Sequence, residues 1–380
     1  MLRQIGDIVA KARAREGVDI DALAKQAEVD ASILRSLEEG KPGISTTQLD
    51  RVAQQLGLDG SSLLLGQEEL RPRASIFLRH KGSQDFNHAA EQSLDGALEA
   101  ARVLRALNDG LHLGPSLRRS AEILVREPGG TAAQDGYNLA RQLRRLLERP
   151  SEPMGDLGVL LEEELEAVVL VMPLGTEKMT AVSVRDTSGA AAVVLNEQDP
   201  QRRANPQLAR VHLAHELCHI LHDPSEGGLH LVIEHTDDDP RSKHLERAEQ
   251  RAKAFAAELL LPRRGLMDLL KTPKDTSSES EGRALVTAAQ KHFCTPWEIA
   301  VNHLNHQGFI ADEVRLALLR QGRRTRSTPR GAVDTRLPEP GEPSFAIRDR
   351  VRRAHDVGFL TDGQARAALG LTVIQPLPWG

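Results

Sequence analysis

The stretch from Leu208 to His222 most constrains what this chain can fold into. Its apolar residues, Leu208, Val211, Leu213, Ala214, Leu217, Ile220 and Leu221, lie around most of a helix rather than along one stripe. Such a helix must be buried, yet it carries His215, Glu216 and His219. Two imidazoles and a carboxylate inside a core are costly unless bonded to something. The order His215-Glu216-Leu217-Cys218-His219 puts both imidazoles on one face, one turn apart, where they can reach a single metal ion. Glu216 then points beside the metal and can take a proton from its bound water. Cys218 sits about 100° off that face and is expected as a small core residue.

A catalytic zinc takes three protein ligands and keeps one open position. The longer pattern with a third histidine fails, because it needs Gly where His222 stands and His where Ser225 stands. A second helix, Leu245–Leu261, ends at Pro262 and offers a carboxylate instead. Its inward stripe is Leu245, Ala248, Ala252, Phe255, Ala256 and Leu259. Glu249 falls on the edge of that stripe and is chosen as third ligand, with Glu246 in reserve. Glu246 and Glu258 lie outside the stripe and are expected to face water. The plainer alternatives are two satisfied core histidines, and a Glu249 paired with Arg247 or Arg251. His222 continues the histidine face and is a candidate for substrate or supporting contacts. His212, His230 and His235 stay ambiguous.

A block of short β-branched runs precedes the helix: Val168–Met172, Ala181–Val184 and Ala191–Leu195, with turns at Gly175 and Ser188-Gly189. The strand ending near Asn196 is expected to align an extended peptide by main-chain pairing, which makes Asn196 a second candidate substrate contact. Elsewhere helical patterns dominate. Residues 1–66 read as a bundle of short helices, with Asp19 and Asp30 as N-caps. Residues 67–135 read as a helical connector with Ala97, Ala101, Leu104 and Leu107 on one face, and Glu127–Gly136 as a break. Residues 136–320 hold the strands and the histidine helix. Within them, Glu226–Lys243 is expected as an irregular loop and Thr272–Gly282 as a flexible segment. An Arg/Pro-rich linker, 321–344, leads to a small helical unit, 345–380. At 380 residues several domains are expected.

The paired motifs resemble those of the ImmA/IrrE metallopeptidases. The similarity lies in the run from Ala209 to His222 (ARVHLAHELCHILH) and the run from Glu249 to Pro262 (EQRAKAFAAELLLP). Upstream, Gly136–Arg144 (GYNLARQLR) and Ala192–Asn196 (AVVLN) are also similar, so the resemblance covers roughly 136–320. It implies a zinc endopeptidase of limited specificity, one Zn2+ per chain, with His215, His219 and Glu249 as ligands and Glu216 as base. It also implies a protein substrate, a partner repressor of the small helix-turn-helix kind, in prophage or stress-response control; a toxin–antitoxin or defence-system role sharing the same chemistry is a further reading. Cys218 departs from the usual Gly, and Lys253 stands where Asn or Asp is common. The fold class expected is mainly α with a small β-sheet (α+β), a zincin-like domain beside an all-α domain.

Residues 1–60 resemble Xre/Cro-type helix-turn-helix domains, through Ala24, Val29, Leu34, Leu37 and the exit Gly40-Lys41-Pro42. Glu28 departs from the Gly often found in the turn. The resemblance makes double-stranded DNA a candidate partner of 1–66, with Ser32, Arg35 and Ser36 as candidate contacts and transcription regulation as the role. Acidic residues slightly outnumber basic ones there, and Glu38 and Glu39 would approach phosphates, so a protein-docking or dimerisation bundle is the alternative. The chain as a whole is mildly acidic, with a formal charge of −5, which excludes a globally basic nucleic-acid binder. Two cysteines, Cys218 and Cys294, suit a reducing compartment. No apolar run reaches the roughly 18–20 residues that span a bilayer. A cytoplasmic protein is expected, free of membrane and open to homodimerisation. The competing reading is a DNA-binding regulator whose zinc domain is a sensor or scaffold without proteolysis.

Overall fold

A computed structural model describes residues 2–15, 17–56, 58, 63–64, 88–113, 117, 121, 124, 130–177, 179–186, 188–205, 207–223, 229–235, 243–271, 276–321, 335–372 and 374–379. They divide between two compact units, Met1–His80 and Lys81–Gly380. No described helix is long and apolar enough to cross a membrane.

The first unit holds α1 (Leu2–Arg15), α2 (Ile20–Gln26), α3 (Ala31–Glu38) and α4 (Thr46–Gln55). Asp19 accepts from the amides of Asp21 and Ala22, and Asp30 from that of Ser32, so both helix starts have the caps their sequence calls for. Val9, Ala12, Leu34, Leu37, Val52 and Ala53 meet in one apolar core. The helices α1 and α3 touch backbone to backbone: a Cβ on Gly6 would stand 2.1 Å from the Leu37 carbonyl oxygen. Glu28, between α2 and α3, adopts φ +51°, the left-handed conformation that Gly takes more easily.

The second unit is built on a four-stranded sheet. Its strands are β1 (Ala167–Met172), β2 (Met179–Asp186), β3 (Ala191–Asn196) and β4 (Leu229–His235), in the order β1-β3-β2-β4. The β1–β3 pair is parallel and the other two are antiparallel. The described helices around it are α5 (His88–Gly110), α6 (Ala132–Leu146), the short α7 (Pro200–Ala204), α8 (Gln207–His222), α9 (Lys243–Leu260), α10 (Arg263–Leu270), α11 (Glu279–Phe293), α12 (Trp297–His306), α13 (Asp312–Arg320), α14 (Phe345–Asp356) and α15 (Asp362–Ala368). A helical turn at Leu157–Val159 continues as a π turn, Leu160–Glu164. The protein is thus mainly α with one small sheet.

Both faces of the sheet are covered at its centre, which is why β1 and β3 are apolar runs without alternation. Val169, Val171, Ala181, Val193 and Leu195 share a core with Leu213, Leu217 and Ile220 of α8 and Phe255 and Leu259 of α9. On α5, Ala97, Ala101, Leu104 and Leu107 are all buried. This helix lies on the sheet's other face, where Arg102 pairs with Asp186 at 2.9 Å and Gly96 abuts Met172.

Several expectations need correction. The segment expected as an irregular loop, Glu226–Lys243, contains β4. The run Leu231-Val232-Ile233, apolar and partly β-branched with Leu229 before it, is the strand signal in that segment. In the expected flexible stretch, Ser278 caps α11, whose first turn is Glu279–Gly282, and Thr276 bridges to Ile310. In the expected linker, residues 335–344 are held down. The Arg336 amide donates to Asp156 at 2.9 Å, Thr335 accepts from Arg210, and the Gly341 amide donates to the Val171 carbonyl; residues 322–334 lie outside the described ones. Gly136, expected in a break, sits inside α6, whose N-cap is Thr131.

Candidate metal centre

The helix α8 is buried from Ala209 to His222 except at Val211 and His212, because the sheet packs on one side and α9 on another. That burial brings His215 and His219 into contact, with ring centroids 4.8 Å apart and planes at 63°. Their Nε2 atoms are 3.0 Å apart. From α9, Glu249 places Oε2 3.2 Å from His215 Nε2 and Oε1 3.3 Å from His219 Nε2. Among the described residues this is the one group of three or more His, Cys, Asp or Glu donors arranged to hold a metal ion.

The donor set fits zinc. Bonds of roughly 2.0–2.1 Å in a tetrahedron put neighbouring ligand atoms about 3.3 Å apart, close to the three separations here. A cation between the two imidazole nitrogens and the Glu249 carboxylate would accept a lone pair from each of the three. The histidine side chains are 3% and 0% exposed, whereas that of Glu249 is 25% exposed, so the cluster is sealed behind and accessible in front. Burial works to raise the Glu249 carboxyl, but His215 and His219 beside it outweigh burial and hold the group well below the usual carboxylate range. Glu216, fully buried, is not part of the donor group.

Two residues that were not singled out as contributors complete the site. Asp223, just past the end of α8, takes a 2.6 Å hydrogen bond from His219 Nδ1. Arg251 of α9 pairs with the other oxygen of Asp223. A carboxylate four residues after His219 is the sequence signal for Asp223, since i and i+4 share a helix face.

The other candidates fall elsewhere. Glu258, expected to face water, is fully buried. A single-stripe view of α9 misses that α6 covers its second face, where Arg141 meets Glu258 at 2.8 Å. Asn196 is spent on structure. Its side chain accepts from the amides of Leu174 and Gln198 and donates to the carbonyls of Thr176 and Met179. The strand it ends, β3, is paired on both sides and has no edge for a peptide. The outer edge of β1 is engaged as well, by the Glu162 carboxylate on the Val169 amide and by the Gly341 amide on the Val171 carbonyl. That leaves β4 as the other edge strand. The His222 ring packs edge-on against Phe255, at 5.9 Å. Cys218 is a buried core residue. His212 lies 3.9 Å from Asp199, while the side chains of Glu246, His230 and His235 lie outside the described residues. Ser32 and Arg35 are exposed on α3 and Ser36 is half-buried; Arg35 pairs with Asp21 at 2.5 Å, and Glu38 is held by Arg13 at 2.6 Å.

Residues 162–296 match the family model of a peptidase family described as the IrrE N-terminal-like domain. The chain carries an IrrE N-terminal-like peptidase domain. No curated protein and no solved structure matches it. The matched span starts in the π turn and ends after α11, so it contains the sheet, α8 and α9 with the whole donor cluster. It is narrower than the 136–320 of the sequence resemblance. Outside it, α6 packs along α9 and α5 against the sheet, as part of the same compact unit as the IrrE-like domain.

Proposed function

We propose that this chain is a zinc-dependent endopeptidase that cleaves a partner transcriptional repressor in a stress, prophage or defence system. The observation that carries the reading is the convergence of His215, His219 and Glu249, with Glu216 next to His215 in the chain, inside a domain of a metallopeptidase family. His215 and His219 offer neutral Nε2 atoms and Glu249 a carboxylate, which leaves one coordination position for water. Zinc bound there supplies a Lewis acid for the attacking water and the scissile carbonyl. Glu216 accepts the water's proton and delivers it to the leaving amine. An extended substrate is aligned along β4, the edge strand that follows α8, by main-chain pairing.

The test is a cleavage assay on purified helix-turn-helix repressors encoded beside this chain. The zinc-loaded wild type produces fragments. Glu216→Gln keeps stoichiometric zinc and lowers turnover by roughly 10²–10⁴. Undiminished cleavage by Glu216→Gln, or none by the zinc-loaded wild type, rejects the assignment. The second reading, a DNA-binding regulator, draws on the exposed Ser32 and Arg35 of α3 in a bundle of helix-turn-helix type. A gel shift on neighbouring promoters, run beside the cleavage assay, separates the two.

A further inference from the structure

We propose that Asp223 and Arg251 form a clasp that sets the ligand geometry, so that Arg251 governs metal affinity without touching the metal; this rests on the metal-site reading above. The clasp starts at His219, whose Nδ1 lies 2.6 Å from Asp223 Oδ2. An ionised carboxylate only accepts, so the proton sits on Nδ1 and Nε2 keeps its lone pair for the side shared with His215 and Glu249. The opposite oxygen of Asp223 is engaged by the Arg251 guanidinium. Arg251 stands two residues after Glu249 on α9. One carboxylate therefore joins the helix that carries both imidazoles to the helix that carries the third ligand. The path from Glu249 along α9 to Arg251, across to Asp223, through the His219 ring and back to Glu249 is a closed loop.

The surroundings hold the clasp in place. Asp223 lies past the last turn of α8, where backbone frays unless it is anchored. Its amide donates to the His219 carbonyl at 3.1 Å. From β2, Arg185 donates to the Ile220 carbonyl at 2.5 Å and to the Asp223 carbonyl at 3.0 Å. Asp223 and Arg251 are both buried. A buried ion pair is weak evidence for stability, since an apolar pair of similar volume often serves as well. A carboxylate on the far nitrogen of a ligand imidazole does what an apolar pair cannot: it fixes the tautomer and ring orientation and raises the basicity of Nε2. These are positioning residues, acting through His219 and through the spacing of two helices.

The experiment measures zinc affinity of the full-length chain by chelator competition. Melting of the metal-free protein and the absorption of a cobalt(II)-substituted sample are followed alongside. Asp223→Asn, nearly isosteric, weakens zinc binding about 10–100-fold while the metal-free protein stays folded. Arg251→Met weakens it about 10-fold, and Arg251→Lys, which keeps the charge, by less. Because Arg251 acts through Asp223, adding Arg251→Met to Asp223→Asn brings little further loss. Losses that multiply in the double variant, or an Asp223→Asn chain that binds zinc as tightly as wild type, overturn the clasp and leave the metal site standing. A wild type that takes up no stoichiometric zinc overturns both.

Discussion

Two carboxylates of α9, Glu249 and Glu258, show how one helix supports opposite uses of the same group. Both meet histidine. Glu249 faces the Nε2 atoms of His215 and His219, while Glu258 lies 3.3 Å from His303 Nε2. The difference is in what else reaches them. Around Glu258, Arg141 donates at 2.8 Å, the Arg263 amide at 3.0 Å and Gln307 at 3.5 Å, and the side chain is 1% exposed. Its charge is balanced and its lone pairs are used, so it is a structural hub joining α6, α9, α10 and α12. Around Glu249 stand the Nε2 atoms of two imidazoles, and a quarter of the side chain is open. A closed, arginine-balanced carboxylate holds a fold together; an open one that shares its face with two imidazole nitrogens offers a metal its third ligand.

The widest gap between the two appears on neutralising each in turn. Glu249→Gln removes a charged ligand and lowers zinc affinity by more than about 100-fold, beyond the loss a supporting residue causes. Glu258→Gln leaves zinc stoichiometry of the folded protein at wild type. It leaves the buried His303 and the partly exposed Arg141 without their charged partner and destabilises the second unit by about 1–3 kcal/mol. Metal analysis of the two purified variants, with denaturant melts, checks both halves. Equal zinc loss in the two would erase the distinction.

Acid titration sharpens it next. Burial pushes the Glu258 carboxyl up, but His303 and Arg141 win and hold it below its ordinary value of 4.5. A carboxyl depressed in the fold binds fewer protons than in the unfolded chain. Its contribution is therefore complete above about pH 5 and is lost as pH falls through its folded value. Melts of the wild type lose stability below about pH 4.5, and Glu258→Gln, already destabilised, flattens that acid limb. An acid limb of the same steepness in Glu258→Gln would assign it to other carboxylates.

The two centres were not equally legible in the sequence. His215, Glu216 and His219 sit within one helical turn, so their chemistry is local and a spacing rule reaches it. Glu249 was reachable because the edge of an apolar stripe is a local property too. Glu258 was not, because its burial depends on α6, which is more than a hundred residues away in sequence. Asp223 reads as a helix-ending residue until Arg251 is known to face it across two helices. The strand order was equally hidden: the apolar run ending at Asn196 announces a strand, and nothing in it says whether the strand is central or at an edge. The strand β4 shows in the sequence only as the short apolar run Leu231–Ile233, set among polar residues. Mainly helical architecture with one small sheet, by contrast, follows from periodicities that any segment carries by itself.

The smallest effect expected comes from the seam between the two centres. A Cβ on Gly136 of α6 would stand 2.2 Å from the Arg251 carbonyl oxygen and 2.9 Å from the Phe255 amide nitrogen. Both are backbone atoms of α9, so no side chain can turn aside, and Gly136→Ala must push the helices apart. Overpacking of this kind costs about 1–3 kcal/mol. The displacement falls mainly on the Glu258 hub, because Arg141, a little over one turn further along α6, is drawn away from its carboxylate. The metal ligands themselves come from α8 and α9, so the folded variant keeps stoichiometric zinc, with an affinity lowered by less than Arg251→Met lowers it, because the push on α9 falls on the Arg251 backbone while its guanidinium stays in place. Melting and metal content, measured on the same Gly136→Ala sample, decide the matter. A stable variant that has shed zinc would mean that α6 positions α9 for the metal, and that the two centres are one mechanical unit.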